Sequence, residues 1–91
     1  MSTPSGKIEI YTTMLCPFCT RAKQLLDSKR VIYFETDVTT RPSLRKAMTE
    51  RTGGRTSVPQ IFIDGQHIGG CNDLLALERS GQLDRLLQVA C

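Results

Sequence analysis

The chain of 91 residues contains no tryptophan, one histidine and only five aromatic residues in all. No apolar stretch approaches the roughly 18 residues that a membrane-spanning helix needs, so no membrane role is expected. There is no internal repeat and no low-complexity run, and the 40% hydrophobic, 23% charged composition is that of an ordinary globular domain. Met1-Ser2-Thr3-Pro4-Ser5-Gly6 lacks both the basic start and the apolar centre of a signal peptide, so a cytoplasmic location is expected and these six residues are read as flexible. The net charge of +3 is spread over scattered lysines and arginines without interleaved aromatics, which argues against nucleic-acid binding. Ninety-one residues suffice for a single domain, 1–91, with one small core.

What the chain does have is cysteine. In a reducing compartment, four cysteines in so short a chain point to redox chemistry or metal binding rather than a disulfide scaffold. There is no second Cys-x-x-Cys to complete a four-ligand zinc set, so no metal site is expected. The lone His67 is assigned no role, and Cys71 and the terminal Cys91 are read as inert and as exposed, respectively.

Cys16-Pro17-Phe18-Cys19 is the most informative stretch because of its neighbours. Before it, Ile8, Ile10 and Thr12 alternate with Lys7, Glu9 and Tyr11, the period of a half-buried strand. After it, Ala22, Leu25 and Leu26 recur at helical spacing among polar residues. Pro17 suits the first helical position, where its missing N–H costs nothing. Cys16 therefore falls at a helix N-terminus, where free N–H groups and the positive dipole end favour a thiolate and make it the expected nucleophile. Cys19, one turn on, is within reach of a disulfide formed at Cys16. A gently positive surface around such a thiol suits small anionic thiols or acidic protein partners.

The remaining elements follow from pattern. Residues 31–38 read as a second strand. Thr39 to Ser43 supply capping and first-turn residues for a helix with Leu44, Ala47 and Met48 on one face, ending near Gly53-Gly54. Residues 60–64 read as a third strand, Asp64-Gly65 as a hairpin turn into a short fourth, and a closing helix starts at about Asn72 and runs to Gly81, with a last amphipathic turn carrying Leu83, Leu86 and Leu87. The order β-α-β-α-β-β-α, with its right-handed βαβ crossover, predicts an α/β protein with a four-stranded mixed sheet flanked by helices: the thioredoxin fold.

Two further runs bear on chemistry. Ser57-Val58-Pro59 precedes the third strand; a cis Val58–Pro59 bond would turn the Val58 backbone outward to pair with an extended peptide, and its place opposite Cys-x-x-Cys favours that reading over an ordinary strand-entry proline. In Gly69-Gly70-Cys71-Asn72-Asp73, paired glycines permit close backbone approach, and the helix start offers free N–H groups to a carboxylate.

With these three motifs in this order, the chain resembles a glutaredoxin of the small bacterial dithiol class from about Lys7 to Leu87. Thioredoxins usually carry a tryptophan and a Gly-Pro pair at the active site; this chain has neither. The resemblance implies a glutathione-dependent thiol–disulfide oxidoreductase, with no permanently bound cofactor, that helps maintain cell redox homeostasis. Cys16 would be the nucleophile and Cys19 the resolving thiol. Glutathione would be the co-substrate, regenerated through glutathione reductase, and the partners would be glutathionylated or disulfide-containing proteins met by a monomer. The resemblance places the cysteine moiety of glutathione beside Ser57, Val58 and Pro59, with Pro17 and Phe18 next to it. It places the γ-glutamyl carboxylate at Gly70, Cys71, Asn72 and Asp73, and the glycine carboxylate near Arg45 or Lys46. Thr13 stands where the family often has lysine, and Phe18 replaces the commoner tyrosine. The competing expectations are a [2Fe–2S] cluster shared by two chains through glutathione, which Pro17 disfavours, and a thioredoxin-like disulfide reductase.

Overall fold

Alternation along the first strand sets the layers. In the computed structural model, which describes residues 7–87, β1 (Ile8–Thr12) buries Ile8, Ile10 and Thr12 on one face and turns Glu9 and Tyr11 to the other. Residues 1–6 and Cys91, read from sequence as flexible and exposed, lie outside the described residues. The chain continues through α1 (Pro17–Ser28), β2 (Tyr33–Asp37), α2 (Pro42–Arg51), β3 (Gln60–Ile63), β4 (Gln66–Gly69), α3 (Cys71–Ser80) and α4 (Gln82–Leu87). The sheet order is β2-β1-β3-β4, with β1 and β2 parallel and the other pairs antiparallel. This is the thioredoxin fold expected from the order of elements.

The face of Ile8 and Ile10 continues through Ile61 and Ile63 of β3 and is covered by Ala22 and Leu26 of α1, Leu74 of α3, and Leu83 and Leu87 of α4. Burying each of these leucines contributes about 1.5–3 kcal/mol. Lys29, at the C-terminal cap of α1, joins the three helices by ion pairs to Glu78 (2.7 Å) and Asp84 (2.8 Å); a cation there also suits the negative end of the α1 dipole. β3 and β4 join through Asp64-Gly65, both at positive φ, as a two-residue hairpin turn requires.

The opposite face is polar and aromatic. Tyr11 and Phe62 meet edge to face at 5.9 Å, and α2 docks there through Arg51. The Arg51 guanidinium lies 3.9 Å from the Phe62 ring centroid, donates to Glu9 Oε1 at 2.8 Å, and donates to the Tyr11 hydroxyl at 3.0 Å. Three sequence readings need correction. Ala47 is exposed and Leu44 only half-buried, because α2 leans on the sheet through Met48 and Arg51 rather than through an apolar stripe. β2 is shorter than residues 31–38, and as an edge strand it leaves Ile32 and Phe34 largely exposed. The closing helix begins at Cys71 rather than Asn72, and the left-handed Gly81 (φ 80°) separates it from a distinct helix, α4, where only a turn was expected.

Arg51 anchors α2 by stacking and by charge at once, so Arg51→Met should cost about 1–2 kcal/mol in urea denaturation at neutral pH. The hydrogen bond from Arg51, partly offset by desolvation, holds the Glu9 carboxyl below its ordinary range. The ionic part of the cost is therefore present above the unfolded carboxyl's pKa and lost as pH falls through the lower folded value. The difference between wild type and variant should shrink at acid pH without vanishing, because the Phe62 stack does not titrate. A difference that stays constant down the acid limb would contradict the ionic part.

Candidate active site

Strand register brings three loops to one end of the sheet. β1 runs antiparallel to β3 with Tyr11 opposite Gln60, so the chain leaving β1 toward Cys16 meets the chain entering β3 at Val58-Pro59. β3 in turn pairs Ile61 with Gly69, which brings the exit of β4 and the start of α3 to the same end. An extra residue, Ile68, is accommodated between the pairs Ile61–Gly69 and Phe62–His67, a bulge of the kind that re-aims a strand end.

Cys16 is the N-cap of α1, in extended conformation, and Pro17 takes the first helical position as expected. The Cys19 N–H donates to Cys16 Sγ at 3.2 Å, and Cys16 Sγ lies 3.9 Å from the Val58 carbonyl oxygen. A sulfur in the place usually filled by a Ser or Asp oxygen thus caps the helix. Before it, Leu15 is left-handed (φ 55°) and 98% exposed, and Met14 N–H is tied to Thr39 Oγ1 at 2.8 Å. Cys16 is partly exposed; Cys19 is buried. Burial first, then its hydrogen bond with Cys16, pushes the Cys19 thiol up to about 12. Burial also raises the pKa of the Cys71 thiol.

Beside Cys16 runs a groove of about 170 Å³ lined by Phe18, Arg55, Ser57, Val58, Pro59, Gly70, Cys71, Asn72 and Asp73. Val58–Pro59 is cis. Among the described residues nothing accepts a hydrogen bond from the Val58 N–H. The loop is supported from below: buried Gln60 donates to the Ser57 carbonyl at 3.0 Å, and its Oε1 lies 2.7 Å from His67 Nε2. His67, given no role from sequence, is thus a strut against Gln60 and the Phe62 ring.

The far wall is the start of α3. Asp73 accepts from the Gly70 N–H at 2.9 Å, the reciprocal half of a capping box, and leaves the N–H groups of Cys71 and Asn72 for a ligand. Gly69 has to be glycine: its φ is +124°, and a Cβ would come within 2.7 Å of Asp73 Cγ.

Apart from Phe18 and Arg55, the other seven groove residues come from the two runs that the sequence singled out around Val58-Pro59 and Gly70-Cys71. Pro17, Arg45, Lys46 and Thr13 do not line this groove. The Arg45 guanidinium donates instead to the Thr56 carbonyl at 2.9 Å, bracing the loop into Ser57. The cation on the wall is Arg55, which sequence reasoning passed over. Its Nη1 is 3.6 Å from Asp73 Oδ2, and its backbone N–H is fixed by Thr52 Oγ1 at 2.9 Å. The signal was available: Arg55 stands three residues before Val58, on the one loop that must approach Cys16. No group of three or more His, Cys, Asp or Glu side chains is placed to hold a metal ion among the described residues.

A capped, partly exposed thiol with a buried partner one turn along the same helix, facing a peptide-sized groove on a thioredoxin fold, defines a thiol–disulfide oxidoreductase. Comparison with known proteins narrows the class. The glutaredoxin family model matches residues 8–68. The chain is 54% identical over 83 residues to glutaredoxin 3 of Escherichia coli K12, covering 91% of this chain and 99% of that one. It is 51% identical to glutaredoxin 1 of Rickettsia typhi, covering 90% and 80%. Among solved structures, the buckwheat glutaredoxin–glutathione complex superposes with TM-score 0.83 at 28% identity, over 93% of this chain and 79% of that one. The glutaredoxin from Brucella melitensis does so with TM-score 0.79 at 49% identity, over 91% and 89%. The chain belongs to the glutaredoxin family and is a glutathione-dependent thiol–disulfide oxidoreductase.

Alkylation of the folded protein separates the thiols. With substoichiometric iodoacetamide near pH 7, mass spectrometry should find Cys16 modified well before Cys19 and Cys71, which react at comparable rates only after unfolding. Labelling of Cys19 ahead of Cys16 in the native protein would contradict the burial and capping described here.

Proposed function

We propose that Cys16 is the nucleophile, Cys19 the resolving thiol, and the groove between Val58 and Asn72 the seat of glutathione. The observation that carries this reading is the position of Cys16 Sγ, capped by the Cys19 N–H and 3.9 Å from the Val58 carbonyl at the groove's edge. An extended glutathionyl chain there places its sulfur at Cys16 and pairs its backbone with the Val58 N–H and C=O in the manner of strand addition. The γ-glutamyl head carries both a carboxylate and an ammonium. The first is matched by the N–H groups of Cys71 and Asn72 at the α3 N-terminus, the second by the exposed Asp73 carboxylate. Arg55 offsets the charge of Asp73 and offers a second carboxylate partner.

The chemistry is thiol–disulfide exchange. The Cys16 thiolate attacks the glutathionyl sulfur of a mixed disulfide. A Cys16–glutathione bond forms, and the substrate thiolate leaves and takes a proton from water. A second glutathione thiolate then attacks the glutathionyl sulfur, releasing oxidised glutathione and restoring Cys16. With a protein disulfide, Cys16 attacks first, Cys19 displaces the substrate by bonding to Cys16 Sγ, and glutathione reduces the resulting Cys16–Cys19 bond. Every residue in this scheme comes from one chain, which supports action as a monomer. Dependence on the glutathione pool supports a cytoplasmic setting, and no described helix is long and apolar enough to cross a membrane. The substrates are glutathionylated and disulfide-containing proteins.

In an assay coupled to glutathione reductase and NADPH, Cys16→Ser should abolish turnover of both a small glutathionyl mixed disulfide and a protein disulfide. Cys19→Ser should retain the first and lose the second. An active Cys16→Ser protein would overturn the assignment. Arg55→Gln should raise the KM for glutathione roughly fivefold with kcat little changed, as loss of one charge-assisted contact predicts; an unchanged KM would remove Arg55 from the site.

A further inference from the structure

Behind the dithiol lies a polar cluster that the scheme above does not use. Thr12, the last residue of β1 and fully buried, donates from Oγ1 to Glu35 Oε2 of β2 at 2.7 Å. The same oxygen accepts from Lys23 Nζ of α1 at 3.0 Å. Lys23 is one turn after Cys19 on that helix, the spacing at which two side chains are neighbours on one face. Thr12 shares the buried face of β1 on which α1 lies, so the Thr12–Glu35 pair draws the lysine down beside the sheet just below the dithiol.

The cluster contributes little as a stability device. Lys23 and Glu35 are each about one-third exposed (31% and 35%), a setting in which an ion pair adds little to folding. Its position serves another purpose. Cys19 has to lose its proton to resolve a mixed disulfide, and burial opposes that loss. The groups that act on the Cys19 thiol are Cys16, which opposes its ionisation, the Thr13 backbone, which favours it, and Lys23, the cation that favours it. Glu35 sits on Lys23, and Asp37 is near enough to act on Glu35.

We infer that Lys23, held in place by Glu35 and Thr12, is a positioning residue for the resolving step: its charge favours the Cys19 thiolate, while Glu35 tempers that charge. In that step the Cys19 thiolate attacks Cys16 Sγ. A Cys16–Cys19 bond forms, the bond from Cys16 to the substrate or glutathionyl sulfur breaks, and the departing thiolate takes a proton from water. No outside oxidant is needed. The monothiol route, which uses Cys16 alone, does not pass through Lys23. The inference rests on the reading of Cys19 as the resolving thiol, and it assigns this chain's dithiol branch a control that its monothiol branch lacks.

The test isolates the ring-closing step. The Cys16–glutathione mixed disulfide is formed and held at acid pH, then the pH is raised and formation of the Cys16–Cys19 disulfide is timed by acid quench and mass spectrometry. Lys23→Gln should slow closure at pH 7 by about threefold to tenfold and move its pH midpoint up by about 0.5–1 unit. Lys23→Arg should stay near wild type, and Glu35→Gln should move the midpoint the other way, to lower pH. Glutathionyl mixed-disulfide turnover by the same variants reports that they are folded. A midpoint in Lys23→Gln equal to wild type would overturn the inference, as would shifts of the same sign in Lys23→Gln and Glu35→Gln. Failure of wild-type protein to close the ring at any pH would instead overturn the role of Cys19.

Discussion

The pairing of β1 with β3 is the constraint on which the rest depends. Because the two strands are antiparallel with Tyr11 opposite Gln60, the thiol that follows β1 and the Val58-Pro59 turn that precedes β3 have to meet. The hairpin through Asp64-Gly65 then returns β4 to the same end and delivers the start of α3. A slip of one residue would turn Ile61 and Ile63 out of the core and Phe62 into it, so the apolar pattern that stabilises the fold also sets the register of the site. Folding energy and active-site geometry are specified by the same alternating residues.

On this frame the dithiol is asymmetric by position alone. Cys16 lies outside the first turn of α1, where its sulfur accepts a backbone hydrogen bond; Cys19 lies inside it, against the core. One helical turn separates a partly exposed thiol that caps the helix from a buried thiol whose ionisation burial opposes. The start of α3 shows a similar economy. Asp73 occupies the Gly70 N–H and leaves the next two donors free, and Gly69 provides the close approach that lets Asp73 fold back.

Much of this was legible in the sequence, because the signals were local and mutually consistent. Ile8 and Ile10 announced the strand, Pro17 the helix start, and Asp64-Gly65 the hairpin; the structure follows each. The misreadings arose where a long-range partner decides the outcome. Ala47 looked like core because its spacing fits a stripe, yet the partner of α2 on that face is the cation–aromatic group of Arg51 with Phe62 and Tyr11. Residues 31–38 read as one strand because β-branched and aromatic residues favour strands, but β2 is an edge strand that starts only at Tyr33 and leaves Ile32 and Phe34 largely exposed. Arg55 was passed over, although it stands three residues before Val58, because the partner that fixes it on the wall, Asp73, is distant in sequence. Its place on the wall follows from the fold of the Thr52–Arg55 turn, and likewise the Lys23–Glu35–Thr12 cluster exists only once α1, β2 and β1 are assembled.

The most direct test is an amide chemical-shift map, or a crystal structure, of the Cys19→Ser variant carrying glutathione in mixed disulfide with Cys16. The register-built groove predicts that the largest changes fall at Val58, Cys71 and Asn72, with Arg55 and Asp73 following, and that glutathione lies extended against the Val58 backbone. A glutathione chain directed toward α2, with Val58 and Asn72 unaffected, would contradict the account.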